Sequence, residues 1–122
     1  MAVAQAHVAR VDSEEEVQAF MANLMQDAKI RRAAHNMLAY RFTTASGTLH
    51  ADCDDDGESA AGTRLLHLLT VAGVEGVAVC VTRWFGGVLL GPSRFALISN
   101  CARQLLEAEG LMTKGGKRGK RK

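Results

Sequence analysis

The stretch HNMLAYRFTTASGTLHADC, His35 to Cys53, decides the fold class. Its first half alternates: Leu38, Tyr40 and Phe42 fall on one side of an extended chain, and His35, Met37, Ala39 and Arg41 on the other. Ala45-Ser46-Gly47 supplies turn residues, and TLHADC alternates again, with Leu49, Ala51 and Cys53 expected inward and Thr48, His50 and Asp52 outward. Two such runs joined by so short a turn predict an antiparallel hairpin.

Upstream, Ala2 to Val11 alternates weakly and reads as a first strand. Ser13-Glu14-Glu15-Glu16 then has the form of a capping box, in which Ser13 accepts from the Glu16 amide while Glu16 reaches back. Val17, Phe20, Met21, Leu24 and Met25 continue as an amphipathic helix expected to run to about Lys29, with KIRR suiting its negative C-terminal end. Downstream, the acidic loop DDDGESAAG leads into the apolar helix TRLLHLLTVAG, closed by Gly73. Val77 to Trp84 is a valine-rich strand. Leu97, Ile98, Cys101, Ala102, Leu105 and Leu106 mark a last helix from about Pro92 to Glu109. The order is β-α-β-β-α-β-α, an α+β fold of two layers with helices on one face of a mainly antiparallel sheet. From pattern alone the ferredoxin-like split βαβ arrangement is the first expectation.

A chain of 122 residues with 48% apolar and 23% charged residues fits one soluble domain with a modest core. No apolar run reaches the roughly 18 residues of a bilayer span, and the N-terminus lacks the pattern of a secretory signal. A cytoplasmic location, nuclear as the other default, and no membrane partner are expected. Cys53, Cys80 and Cys101 make no C-x-x-C and are expected to be reduced, mostly buried small hydrophobes. The net charge of +2 is carried by the end of the chain: KGGKRGKRK, Lys114 to Lys122, holds six of the fifteen basic residues. Without it nine basic residues face thirteen acidic ones, a body of −4. The expected division is a domain over 1–110 and a basic, disordered tail over 111–122, able to contact RNA or the ribosome through phosphates.

Three motifs invite chemistry. Asp52-Cys53-Asp54-Asp55-Asp56-Gly57 matches the first half of a calcium loop, but the twelfth position, where a bidentate Glu belongs, is Thr63. The alternative is a polar turn whose carboxylates lie near the next helix N-terminus. Gly86 to Ser93, GGVLLGPS, approaches a phosphate loop with Pro92 in place of the lysine, which argues against nucleotide hydrolysis. What survives is a Gly-rich turn, with Gly91 at the cap and Pro92 at the first helical position, whose amides, with Arg83 and Arg94 near, suit an anion. The competing role is structural: Gly86 and Gly87 at positive φ, Leu89 and Leu90 in the core. His35, His50 and His67 show neither metal spacing nor a nucleophile context. His50 and Asp52 share a strand face, and His35 with Arg41 the matching face of the neighbouring strand. His67 is expected at the core or its boundary. No catalytic residue, metal or cofactor is expected.

The segments KIRRAAHNMLAYRF, DCDDDGESAAGTRLLHLL and VTRWFGGVLLGPSRFALISNCARQLL cover most of Ala2 to Glu109. They resemble the IMPACT family of translation regulators, specifically the ancient domain that is C-terminal in its eukaryotic members. RWFGG-x-LLGP-x-RF is similar to the eukaryotic form; bacterial relatives typically vary after the double glycine. The resemblance implies a fold similar to the second domain of ribosomal protein S-five, and this expectation replaces the ferredoxin-like one. It also implies a regulator of the amino-acid-starvation response. Eukaryotic members hold back the general-control kinase by competing for a large helical-repeat scaffold protein on ribosomes, and actin and ribosome association go with the family. Members in animals and yeast add an N-terminal RWD domain and bacterial ones a different C-terminal domain; this sequence is expected to lack both.

The resulting expectation is a non-enzymatic binding module. Its partner face comprises His35, Asn36, Arg41, Asp55, Asp56, Arg83, Trp84, Gly86, Gly87 and Arg94, with Arg83 and an exposed Trp84 as anchors. The alternative expectation is a nucleic-acid or phosphate-ligand binder using His35, Arg41, the Gly-rich turn and the tail.

Overall fold

The computed structural model describes residues 4–84 and 93–113, the side chains of Ser93 and Arg94 excepted. In chain order its elements are β1 (Ala4–Arg10), α1 (Glu14–Leu24), α2 (Ala28–Arg31), β2 (His35–Thr43), β3 (Leu49–Asp54), α3 (Ala61–Ala72), β4 (Val77–Arg83) and α4 (Ser93–Ala108). The four strands form one antiparallel sheet in the order β1-β4-β2-β3.

The α+β class is as the sequence predicts, and so is the succession of strands and helices apart from the additional α2; the hairpin joins Thr43 to Leu49 across the expected turn. The ferredoxin-like expectation does not hold. That arrangement places the first strand inside the sheet, whereas here β1 is an edge and β4 lies between β1 and β2. Every residue of β4 is buried, because both of its edges are paired and both of its faces are covered. Such a strand reads as a continuous apolar run rather than an alternating one.

The covering of both faces corrects the expectation of helices on one side only. Val77, Val79 and Val81 of β4 pack with Met37 and Ala39 of β2 against Leu65 and Leu69 of α3 and Ile98, Ala102 and Leu106 of α4. Ala78, on the opposite face of β4, packs with Phe42 and with Val17 of α1. The side chains of β3 beyond the reach of α3 and α4 lose their cover: Leu49 is 50% exposed and Ala51 is exposed, against the inward placement expected for both. Met112 is buried in the core and Leu111 packs against it.

Ser13 caps α1, its hydroxyl accepting from the Glu16 amide, and Glu16 reaches back to the Asp12 amide. The helix ends earlier than expected. Asp27 turns its carboxylate onto the Lys29 amide and opens a separate short helix, so KIRR belongs to α2 rather than to the end of α1. Glu14, in the first turn of α1, accepts from the Tyr40 hydroxyl and lies 3.8 Å from His50 Nδ1. His50 itself stacks on Phe42, with ring centroids 5.1 Å apart. His50 and Asp52 therefore lie opposite Phe42 and Tyr40, on the α1 side. His35 and Arg41 lie on the α3–α4 side with Met37 and Ala39, so the two pairs do not share a face as expected.

Candidate functional site

The end of the sheet where β2 begins and β4 finishes gathers six of the expected site residues: His35, Asn36, Asp55, Asp56, Arg83 and Trp84. The acidic loop after β3 makes this possible. Asp55 accepts from the amides of Ala60 and Gly62 and so caps α3 from five residues upstream of its N-cap, where Ala60 is left-handed and has no side-chain cap of its own. Asp54 accepts from the Asp56 amide. Asp56, at φ 48°, presents its carboxylate to the Asn36 amide at 2.6 Å and its carbonyl to His35 Nδ1 at 2.8 Å. These carboxylates serve as acceptors for backbone amides, the polar-turn reading of the sequence. No cluster among the described residues is arranged to hold a metal ion.

Arg83 is buried rather than presented to solvent. Its guanidinium donates from Nη1 to Glu58 Oε2 at 3.2 Å, with both side chains more than nine-tenths buried. A charge pair so removed from water ties the end of β4 to the acidic loop, and its breakage would strand a buried charge. Arg41 is not brought to this end either. Six residues along β2 at about 3.4 Å each put it some 20 Å away, where it donates to the Val74 carbonyl between α3 and β4. Gly86, Gly87 and the whole Gly-rich turn lie outside the described residues, as does the side chain of Arg94.

Trp84 is half-buried and immobilised. Its indole Nε1 donates to the Lys29 carbonyl at 3.0 Å, and the Lys29 ammonium stands 5.4 Å from the ring centroid. Asn36 Nδ2 donates to the next carbonyl, Ile30. Backbone amides already reach the Ala28 and Ile30 carbonyls, from Arg32 and Ala33; the indole supplies a donor to the Lys29 carbonyl between them, one of those a helix end leaves open. The tryptophan thus holds α2, and α2 fixes the tryptophan.

Sequence reasoning missed a relay beneath this face. The buried Thr82 hydroxyl donates to Asn36 Oδ1 at 2.7 Å and therefore accepts from His7 Nε2–H at 3.0 Å. That places a proton on His7 Nε2. Burial lowers its pKa, and the Asp27 carboxylate opposes the shift without cancelling it. A single threonine in a run of valines was the available sign, since a buried hydroxyl requires a partner. Glu58 and Lys29 were missed with no comparable sign. His67, expected at the core or its boundary, is exposed on α3.

Burial pushes the Cys80 thiol up to about 12 and raises that of Cys101. No helix among the described residues is long and apolar enough to cross a membrane.

The fold and this face define a small α+β domain with an aromatic side chain fixed at one end of the sheet and supported from behind by a buried ion pair and a hydrogen-bond relay. The chain belongs to the IMPACT family: the sequence model of the Impact N-terminal domain matches residues 3–106. It is 49% identical over 120 residues to the Protein IMPACT homolog of Schizosaccharomyces pombe, covering 96% of this chain and 43% of that one. It is 52% identical over 103 residues to Protein IMPACT of Mus musculus, covering 84% and 32%. Among solved structures, that of the two-domain translational regulator Yih1 is similar at a TM-score of 0.61 and 44% identity, over 86% of this chain and 41% of that one. A hypothetical protein of 27% identity has a TM-score of 0.70 over 84% of this chain and 50% of its own. The chain spans less than half the length of the named relatives.

Proposed function

We propose that this chain is a non-enzymatic regulator of translation that acts by docking a protein partner at the end of the sheet marked by Trp84. The observation that carries this reading is the indole itself, half-buried and held by Lys29. A rigid aromatic anchor with its polar atom already satisfied loses little freedom on binding and buries a large area. Relatives named IMPACT and a solved relative described as a translational regulator support the regulatory assignment. Within it, the partner is the helical-repeat scaffold of translation control, engaged on ribosomes during amino-acid starvation in the cytoplasm.

The proposed face consists of Trp84, Lys29, His35 and Asp56. Arg83 and Asp55 shape it from behind. Its test is a pull-down of the scaffold protein by the full chain. Trp84→Ala should weaken capture by about 2 kcal/mol or more, roughly thirtyfold, as truncation of an interface anchor does. Lys29→Glu, at an exposed position, should weaken it without altering the thermal midpoint. Native circular dichroism with undiminished capture by both variants would refute the face.

A further inference from the structure

Helix α3 carries two stripes. One, Ala61, Leu65 and Leu69, is buried in the core. The other, Arg64, Leu68, Val71 and Ala72, lines a solvent-open groove of about 590 Å³ between α3 and α4, closed on its far side by Ser99 and Arg103. Val71 is 59% exposed, one of two large hydrophobic side chains so exposed among the described residues. No acidic residue lies among those lining the groove, although the body of the chain outside its basic end is net acidic. The two arginines are therefore a local feature.

Their donors are poorly used. Arg64 stands over the Phe95 ring at 4.2 Å, a stack that engages the face of the guanidinium and leaves its in-plane N–H groups for an acceptor. Arg103 donates from Nη1 to Asn100 Oδ1 at 2.7 Å, while its Nε–H is buried without a partner. Two arginines flanking an exposed apolar strip match an acidic amphipathic segment, with carboxylates on the guanidinium forks and apolar side chains on Leu68 and Val71. The strip follows α3 from Ala60 to Ala72, about 18 Å. That length suits three turns of a partner helix better than a compact metabolite, and a cleft between two helices accepts a third by interdigitation of side chains.

We infer that the groove between α3 and α4 is a second docking site, distinct from the Trp84 face, for an acidic amphipathic helix of a partner protein. The test uses the full isotope-labelled chain and a synthetic peptide helix with leucines on one face and glutamates on the other. The same peptide with lysines for glutamates and a single-stranded uridine oligonucleotide serve as the other arms. The acidic peptide should bind saturably and shift the backbone amides of Arg64, Leu68, Val71 and Arg103. Arg64→Glu and Val71→Asp should each weaken it about tenfold, in line with loss of a charge-assisted contact or an apolar anchor, while Trp84→Ala leaves it unchanged. The inference is overturned by no saturable binding, or by shifts confined to Lys114–Lys122. Equal binding of the lysine peptide or the same shifts with the oligonucleotide also overturns it. So does movement of these amides with the concentration of the chain alone, which assigns the groove to a second copy.

Discussion

Arg83 and Glu58 form a buried ion pair, Nη1 to Oε2 at 3.2 Å, that fastens the last residue of β4 to the loop preceding α3. Arg83 sits directly opposite His35 in the sheet, and its carbonyl accepts from the Ala34 amide. One side chain thus fixes the loop that carries Asp55 and Asp56 against the start of β2. The arginine expected as an interface anchor thus lies buried in an ion pair.

Removal of either partner should unfold the domain rather than silence it. Arg83→Met or Glu58→Leu alone breaks a buried ion pair from one side and should cost about 3–5 kcal/mol in urea denaturation. The double substitution should cost less than either single one, because it buries no charge. Single variants of near-native stability would show that the pair is solvated in the native state.

Gly62 should tolerate no side chain. A Cβ there would stand 2.9 Å from the Asp54 carbonyl carbon and 2.9 Å from Asp55 Oδ1, within the backbone turn that caps α3. Gly62→Ala should therefore destabilise by about 1–3 kcal/mol through overpacking. Gly47→Ala, at φ 91° with nothing within 4 Å of its Cβ, should cost about 1 kcal/mol, the strain of positive φ alone. Chemical denaturation of the two variants side by side checks the order.

Acid should weaken the domain partly through His7. Burial lowers its pKa below the ordinary 6.5 against the weaker pull of Asp27. As pH falls below that ordinary value the unfolded chain takes up a proton that the folded chain refuses, so stability present above it is lost down to the lowered native value. His7→Gln keeps a donor toward Thr82 and cannot titrate. Its stability should fall less than that of the parent between neutral and mildly acidic pH. Parallel curves for the two proteins would remove His7 from the acid response.

Much of the fold was legible because its signals are local. Ser13 and Glu16 announce the start of α1, Gly73 ends α3 at φ 69°, and alternation from Leu38 to Phe42 sorts β2 correctly into two faces. What was not legible depends on pairing between distant residues. Ala6 lies opposite Val81, and nothing within either strand states that β1 is an edge and β4 the interior. The burial of Arg83 follows from that pairing together with Glu58, a residue that reads on its own as one more acid in a polar loop. Period likewise says which residues share a side, not how far a helix reaches over it, and so Leu49 and Ala51 read as inward. Asp27 interrupts an apolar stripe that would otherwise carry α1 through to Lys29; a strong cap at that position outcompetes one more turn of helix.

The central claim, that the fixed indole is the docking anchor, is tested most directly by fluorine NMR of the full chain labelled with fluorotryptophan. With one tryptophan in the sequence, the spectrum reports Trp84 alone. Addition of the scaffold protein should shift or broaden that resonance in step with complex formation measured by sedimentation. A complex that forms while the resonance stays fixed, or no complex at all, would contradict the account.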